Sequence, residues 1–277
     1  VLRARLGPVT LQALAYGEAI EHHGVRLSMH PAGHVLGSAQ VRLEHGGQVW
    51  VASGDYKVAP DPTCTPFEPV RCDVFITEST FGLPIYRWAP DAQVFEGINR
   101  WWRSNAEAGR ASLMLCYSFG KAQRLLSGVD ASIGPILVHG AVEPLNRAYR
   151  EAGVPLPPTL TLTEVSDKAL FRQALVLCPP GAAGGPLARR LGELSEGFAS
   201  GWMQLRGARR RGAHDRGFVL SDHADWPGLM SAISATRAQR ILVTHGSVPV
   251  MVRHLQGLGL QAGALQTEYV GDLAEEV

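Results

Sequence analysis

Residues 30–40 read HPAGHVLGSAQ, residues 49–56 VWVASGDY and residues 73–82 DVFITESTFG. Each stretch couples an apolar run of strand character to a polar residue able to do chemistry. The run 25–29 (VRLSM) precedes His34, the run 49–52 (VWVA) precedes Asp55, and the run 74–76 (VFI) precedes Glu78. A sheet presents chemistry at the ends of its strands, where the chain leaves the core for loops and solvent. Three such residues in succession point to a shared pocket, and imidazole with carboxylate is a ligand set for zinc or a similar borderline metal. Residues 217–226 (GFVLSDHADW) and 240–246 (RILVTHG) repeat the pattern, with His223 and His245 in the turns.

Outward from this stretch, glycines at 33 and 37 allow a tight turn around His34. Residues 39–45 and 47–53 alternate apolar and polar about the Gly46–Gly47 pair, which predicts a hairpin. Residues 9–11 and 25–27 are expected to be strands, with His22 and His23 in an exposed turn between them. His30 is expected to be no more than a support for the site. Residues 56–72 contain four prolines and form a loop past Asp55.

Beyond residue 84 the pattern changes to alternating helices and strands. Helical spacing of Val94, Ile98, Trp101 and Trp102 over 91–108 predicts a helix with both tryptophans in the core. Strands follow at 111–117, 135–139, 174–178 and 198–205, with a turn and a helix over 118–129 and helices at 142–152, 166–173 and 187–194. That order predicts a parallel α/β domain. It separates the candidate site residues before 82 from those after 217, so it is read as an insertion. The main domain is expected to comprise residues 1–83 and 217–277, and the inserted domain residues 84–216. A composite cleft is expected between the two domains. The segment 217–277 is expected to hold helices near 225–235 and 247–257 and strands at 240–244 and 267–270.

The chain has 277 residues, 45% of them apolar and 18% charged, with a net charge of +1. It can bury a sizeable core and carries no global basic field. One basic cluster stands out, Arg206, Arg209, Arg210, Arg211 and Arg216, readable as a phosphate-contacting loop or as a solvated linker. Cys64, Cys72, Cys116 and Cys178 are scattered without a CxxC, which favours reduced thiols in a cytoplasmic protein over a disulfide framework or a thiolate zinc site. There is no run of 18 apolar residues and no signal peptide, so no membrane association is expected. The first residue is Val, and the opening stretch reads as the middle of a domain, which favours an N-terminally incomplete chain.

His34, Asp55 and His245 suit metal ligands, with Asp55 able to bridge two ions as in phosphodiester hydrolysis by an activated water. Glu78 and His223 suit a proton-transfer pair serving a departing oxygen.

HPAGHVLGSA (30–39), SGDY (53–56), ITESTFG (76–82), SDHADW (221–226) and VTHG (243–246) resemble, in order, the motifs of metallo-β-lactamase-fold nucleases of the β-CASP group. That group includes RNase J and the mRNA 3′-end-processing endonucleases. Within it, VWVASGDYK (49–57), DPTCTPFEPVRCD (61–73), TESTFGLPIYRW (77–88), FGKAQRLL (119–126), FASGWM (198–203) and RGARRR (206–211) resemble the bacterial ligase-associated DNA exonucleases over nearly the whole chain. The resemblance implies an α/β fold: a metallo-β-lactamase αββα sandwich, here N-terminally incomplete, with an inserted α/β β-CASP domain. It implies His34 as a metal ligand, Asp55 as the bridging carboxylate, Glu78 and His223 as the catalytic pair, and His245 as the late metal-binding His. The cofactor implied is zinc, two ions in the intact protein, with manganese as an alternative.

The family's His-x-His-x-Asp-His motif is absent from these residues, and with it most of the metal ligands. The expected activity of the intact protein is therefore a metal-dependent DNA exonuclease in repair, with DNA as substrate and an ATP-dependent DNA ligase and a helicase as partners. An RNA-processing nuclease of the same fold and a nucleic-acid-binding relative without turnover are the alternatives. A small-molecule metallo-hydrolase fits less well, because a small substrate needs no second wall from an inserted domain.

Overall fold

The computed structural model describes residues 1–205, 207 and 214–266. In chain order, α1 (Leu2–Leu6) precedes β1 (Ala19–His22), β2 (Val25–Pro31), β3 (Ala39–His45), β4 (Gln48–Ala52) and β5 (Val74–Glu78). There follow α2 (Asp91–Glu107), β6 (Ala111–Leu115), α3 (Lys121–Gly128), β7 (Ile136–Val138), α4 (Glu143–Glu151), β8 (Leu160–Thr161) and β9 (Leu175–Cys178). The remaining elements are α5 (Gly185–Leu191), β10 (Leu194–Ala199), β11 (Arg216–Phe218), α6 (Trp226–Thr236), β12 (Arg240–Thr244), α7 (Val248–Gly257) and β13 (Gln261–Ala264). Among the described residues no helix is long and apolar enough to cross a membrane.

The chain forms two compact units. The first gathers Val1–Thr10, Asp61–Cys64 and Trp88–Asp222, and the second Leu11–Pro60, Thr65–Arg87 and the residues from His223 onward.

The first unit is built on a six-stranded sheet in the order β11-β10-β6-β9-β7-β8. Every pairing in it is parallel. Parallel strands covered on both faces read as unbroken apolar runs, and β6 (ASLML) and β9 (LVLC) are buried at every position. The pleat then sorts those side chains by parity. Met114, Leu175, Leu177, Ile136 and Val138 join one core with Ile98, Trp102 and Leu125. Leu113, Leu115, Val176 and Leu137 join another with Leu162, Phe171 and Leu191. Trp102 is fully buried and donates its indole N–H to the Gln173 carbonyl at 2.9 Å; Trp101 donates to Ser195 Oγ at 3.1 Å. Both tryptophans thus belong to the core, each with its polar tip satisfied.

The second unit carries a mixed seven-stranded sheet in the order β1-β2-β3-β4-β5-β12-β13. Strands β1 to β4 pair antiparallel, the last turn of that meander being Gly46–Gly47, and β4, β5, β12 and β13 run parallel. One face packs Val51, Phe75, Ile241 and Val243 against Leu229 and Ile233 of α6 and Met251 and Leu255 of α7. The other face carries two apolar rows set by the register. Ile20, Leu27, Leu43, Trp50 and Val74 form one, and Met29, Val41, Ala52, Ile76 and Leu242 the other. Of these only Val74 and Leu242 are buried, and none enters the unit's core cluster. The αββα sandwich expected from the sequence is N-terminally incomplete; among the described residues this unit has one sheet, with helices packed on one face.

Several local expectations are corrected. Residues 9–11 are not a strand; pairing begins at Ala19, after an isolated bridge between Tyr16 and Met29. His22 ends β1, and His23 with Gly24 makes the turn, both at positive φ. The helix expected over 166–173 is only a 3₁₀ turn at Leu170–Gln173. Asp167 Oδ1 accepts from the Ala169 N–H at 2.9 Å, a local bond that competes with a helix. Helix α5 stops at Leu191 because Gly192 turns at φ 76°, which frees Leu194 to start β10. That strand ends at Ala199, where Ser200 Oγ accepts from Trp202 N–H and caps a 3₁₀ turn. The strand expected at 267–270 lies outside the described residues.

The four cysteines carry no disulfide. Burial pushes the thiols of Cys72 and Cys178 up to about 11 and that of Cys116 up to about 12. A thiolate is the reactive form, so iodoacetamide at neutral pH should label Cys64 in the native protein and the other three only after denaturation. Mass spectrometry of the alkylated peptides checks this; native labelling of Cys116 would contradict the buried placement.

Candidate metal and acid–base site

Four of the residues singled out in the sequence meet in the second unit. His34 lies three residues beyond β2, in a loop that only glycine can start. Gly33 has φ 70°, and a Cβ there would run into the Lys57 carbonyl oxygen and stand 2.8 Å from the Phe67 nitrogen. Ser38 Oγ then accepts from the N–H groups of His34 and Val35, at 3.1 and 3.2 Å, and fixes the loop. Asp55 follows β4 through Gly54 at φ 56° and is about half exposed. Its Oδ2 is 4.0 Å from His34 Nε2.

Glu78 is the last residue of β5 and is 2% exposed. Its Oε2 lies 2.9 Å and its Oε1 3.1 Å from His223 Nδ1. An ionised carboxylate only accepts, so the proton of this bond belongs to Nδ1 and Nε2 is the outward nitrogen. Tyr56 N–H donates to Glu78 Oε1 at 2.8 Å, and the Tyr56 carbonyl accepts from Ala224 N–H at 2.7 Å. The His223 ring stands 4.7 Å from the His34 ring and makes an edge-on contact with Phe81. Burial pushes the Glu78 carboxyl up. The charge and hydrogen bond of His223, with the bonds from Thr80 and the Tyr56 N–H, outweigh it and hold Glu78 below the ordinary carboxylate range.

His34, Asp55 and His223 each offer one ligand atom, and these atoms lie within 4.8 Å of one another. Two imidazole nitrogens and a carboxylate oxygen fit a divalent ion of the zinc type, with three protein ligands and a position left open. A ligating His whose far nitrogen donates to a carboxylate is the usual arrangement at such ions, and Glu78 stands in that relation to His223.

The sequence pattern gives His245 a ligand role, but the structure does not bring it into this group. His245 follows β12 at φ 55°, its Nδ1 lies 3.0 Å from Thr244 Oγ1, and its carbonyl accepts from Ser79 Oγ. Gly246, at φ 69°, packs so closely on the Ser79 carbonyl that a Cβ has no room. Arg206, Arg209, Arg210 and Arg211 lie outside the described residues; Arg216 is exposed on β11. Sequence reasoning misses two roles. Tyr56, visible only as the end of SGDY, ties Glu78 to Ala224 through its backbone, and backbone roles leave no side-chain signature. His223 reads as a proton-transfer residue alone, although the structure also groups it with His34 and Asp55.

No protein-family model matches the chain. It is similar to a "Probable DNA ligase" of Opitutus terrae, 32% identical over 269 residues, which cover 96% of this chain and 26% of that protein. It is also similar to "Cleavage and polyadenylation specificity factor subunit 3" of Dictyostelium discoideum, 28% identical over 124 residues, covering 43% of this chain and 16% of the relative. "Endoribonuclease ysh1" of Schizosaccharomyces pombe is 33% identical over 124 residues, with the same coverage. The chain thus spans about a quarter or less of the length of these relatives. Its fold is similar to that of a protein of unknown function from Enterococcus faecalis V583, with a TM-score of 0.59 at 11% identity over 93% of this chain and 66% of that one.

Two outcomes follow from this geometry. Gly33→Ala should destabilise the protein by about 1–3 kcal/mol in urea unfolding, because φ 70° and the crowded Cβ position both oppose it. Glu78 has a lower pKa folded than unfolded, so its stabilisation is complete above the unfolded carboxylate range and is lost as pH falls through the folded value. In chelator-treated protein, Glu78→Gln should lower stability at neutral pH and flatten its fall in acid; an unchanged acid slope would remove Glu78 from the pair.

Proposed function

We propose that this chain belongs to a metal-dependent nuclease that hydrolyses phosphodiester bonds, and more specifically to a DNA exonuclease acting in repair beside a ligase. The observation that carries the reading is the buried Glu78–His223 pair set directly against the His34–Asp55 cluster. It is supported by the likeness to relatives named as a DNA ligase and as endoribonucleases, which fits the metallo-β-lactamase and β-CASP architecture inferred from the motifs.

In this reading His34 and Asp55 would hold a divalent ion, zinc or alternatively manganese, and His245 would serve a second ion. A bound ion supplies positive charge beside the scissile phosphate and activates water. The chain's own residues do the rest. Glu78, kept ionised, orients the His223 ring and favours its protonated form. His223 Nε2 could either join His34 and Asp55 at the ion or carry a proton; in this reading it carries the proton, faces the cluster and is placed to protonate the leaving oxygen. Arg206, Arg209, Arg210 and Arg211 are assigned to the phosphate backbone. An ATP-dependent DNA ligase and a helicase are the proposed partners.

A specific observation favours a second reading. The relatives named as endoribonucleases match the chain too, so an RNA substrate competes with DNA. The discriminating assay offers the native-length polypeptide end-labelled DNA and RNA of one sequence, with zinc or manganese. Stepwise DNA shortening is expected. Preference for the strand bearing 2′-hydroxyls would replace the DNA reading, and salt-dependent binding without turnover would leave a binding protein. His223→Ala should lower kcat about 10²–10⁴-fold with little change in KM.

A further inference from the structure

The turn that carries His34 is held at its base by a side chain outside it. Gln40, on β3, is fully buried. Its Nε2 donates to the Pro31 carbonyl at 2.9 Å and to the Glu68 carbonyl at 2.6 Å. The Glu68 N–H donates to the same Pro31 carbonyl at 3.2 Å. One amide thus joins the last residue of β2 to a segment far along the chain. The Glu68 carboxylate is a weaker tie, being more than half exposed and 3.5 Å from His30 Nδ1.

The joined segment also meets the turn itself. Phe67, next to Glu68, leaves no room for a Cβ on Gly33, its nitrogen standing 2.8 Å from that position. Its ring stacks on Tyr56, with centroids 5.2 Å apart. The Lys57 N–H donates to the Ala32 carbonyl at 3.1 Å. Residues 31, 32 and 33, which lead into His34, are therefore each seated against residues 57, 67 or 68. All of these belong to the second unit.

Stability alone is a poor reason for an amide at this place. Gln40 Oε1 is buried and has no hydrogen-bond partner among the described residues. A buried polar atom left unsatisfied costs about 1–3 kcal/mol, and an apolar side chain of the same shape avoids that cost. What an apolar side chain lacks is a pair of donors aimed at two carbonyls.

We propose that Gln40 is a positioning residue for His34. By fixing the Pro31 and Glu68 carbonyls together it sets where the turn leaves β2, and so holds the His34 ring beside His223 and Asp55. Its consequence for a metal rests on the ligand reading of His34, but the first test needs no metal, so the two can fail separately.

The test is NMR of chelator-treated protein, with the histidine ring signals assigned through His34→Gln and His223→Gln. In the wild type, ring centroids 4.7 Å apart should give a nuclear Overhauser contact between the two rings. Gln40→Met, which keeps the volume and removes the donors, should lose or strongly weaken that contact while circular dichroism keeps the folded spectrum. Gln256→Met is the control. Gln256 Nε2 also donates to a carbonyl, that of Ala262 at 2.9 Å, in the same unit, and its removal should leave the contact in place. If Gln40→Met does not fold, Gln40→Asn, one methylene too short to reach both carbonyls, carries the test. In the native-length polypeptide, zinc affinity measured against a chromophoric chelator should fall about 10–100-fold in Gln40→Met, the range seen when a group behind a metal ligand is removed. A lost ring contact with unchanged zinc affinity would leave Gln40 in its role and take His34 out of the metal site. An unmoved contact in the folded Gln40 variant, or an equal loss in Gln256→Met, would overturn the proposal.

Discussion

Glu78 is a carboxylate with almost no exposed surface, at the end of a central strand. A buried charge of this kind survives only if it is paired and hydrogen-bonded. Its surroundings answer that requirement atom by atom: His223 Nδ1 lies against both oxygens, and the Tyr56 N–H donates to one of them. Once that set is fixed, so is much else. Tyr56 cannot move without unpairing Glu78, which sets where the chain leaves Asp55. The Tyr56 carbonyl holds Ala224, which fixes the residue after His223. The carboxylate organises the site because it is costly to leave alone, whatever chemistry the site performs.

The two sheets are built in different ways. The parallel sheet of the first unit is apolar on both faces, and its side chains divide by parity into two cores. The mixed sheet of the second unit is packed by α6 and α7 on one face, and its strand ends deliver His34, Asp55 and Glu78. Precision comes from that rigid frame together with glycines at 33 and 246, where no side chain fits.

Most of the site's composition is legible in the sequence because strand-end residues announce themselves by the apolar runs before them. His34, Asp55, Glu78 and His223 can be selected in this way. Their mutual arrangement is less legible. His245 shares the strand-end signature, yet its left-handed backbone and the bond from Ser79 to its carbonyl govern its setting, and neither has a sequence signal. The β3–β4 hairpin is readable from alternation about Gly46–Gly47, and α2 from the spacing of Val94, Ile98 and Trp102. The stretch 166–173 is not, because the Asp167 carboxylate accepts from the Ala169 N–H, a local bond that competes with helical spacing. Nothing in the sequence marks Lys121 and Arg124 as buried. Their burial depends on Asp61, Asp91 and Asp222, far away in the chain.

The two apolar rows on the second face of the mixed sheet have a bearing on the protein's solution behaviour. Trp50, Leu43, Leu27 and Met29 lie only partly covered, side by side across adjacent strands. Attraction between such surfaces is driven by the release of water, so it strengthens in excluded salts such as sulfate and weakens on cooling. Self-association of this chain should therefore follow the Hofmeister rank of the salt and the temperature more closely than the ionic strength. A surface dominated by charge would do the reverse.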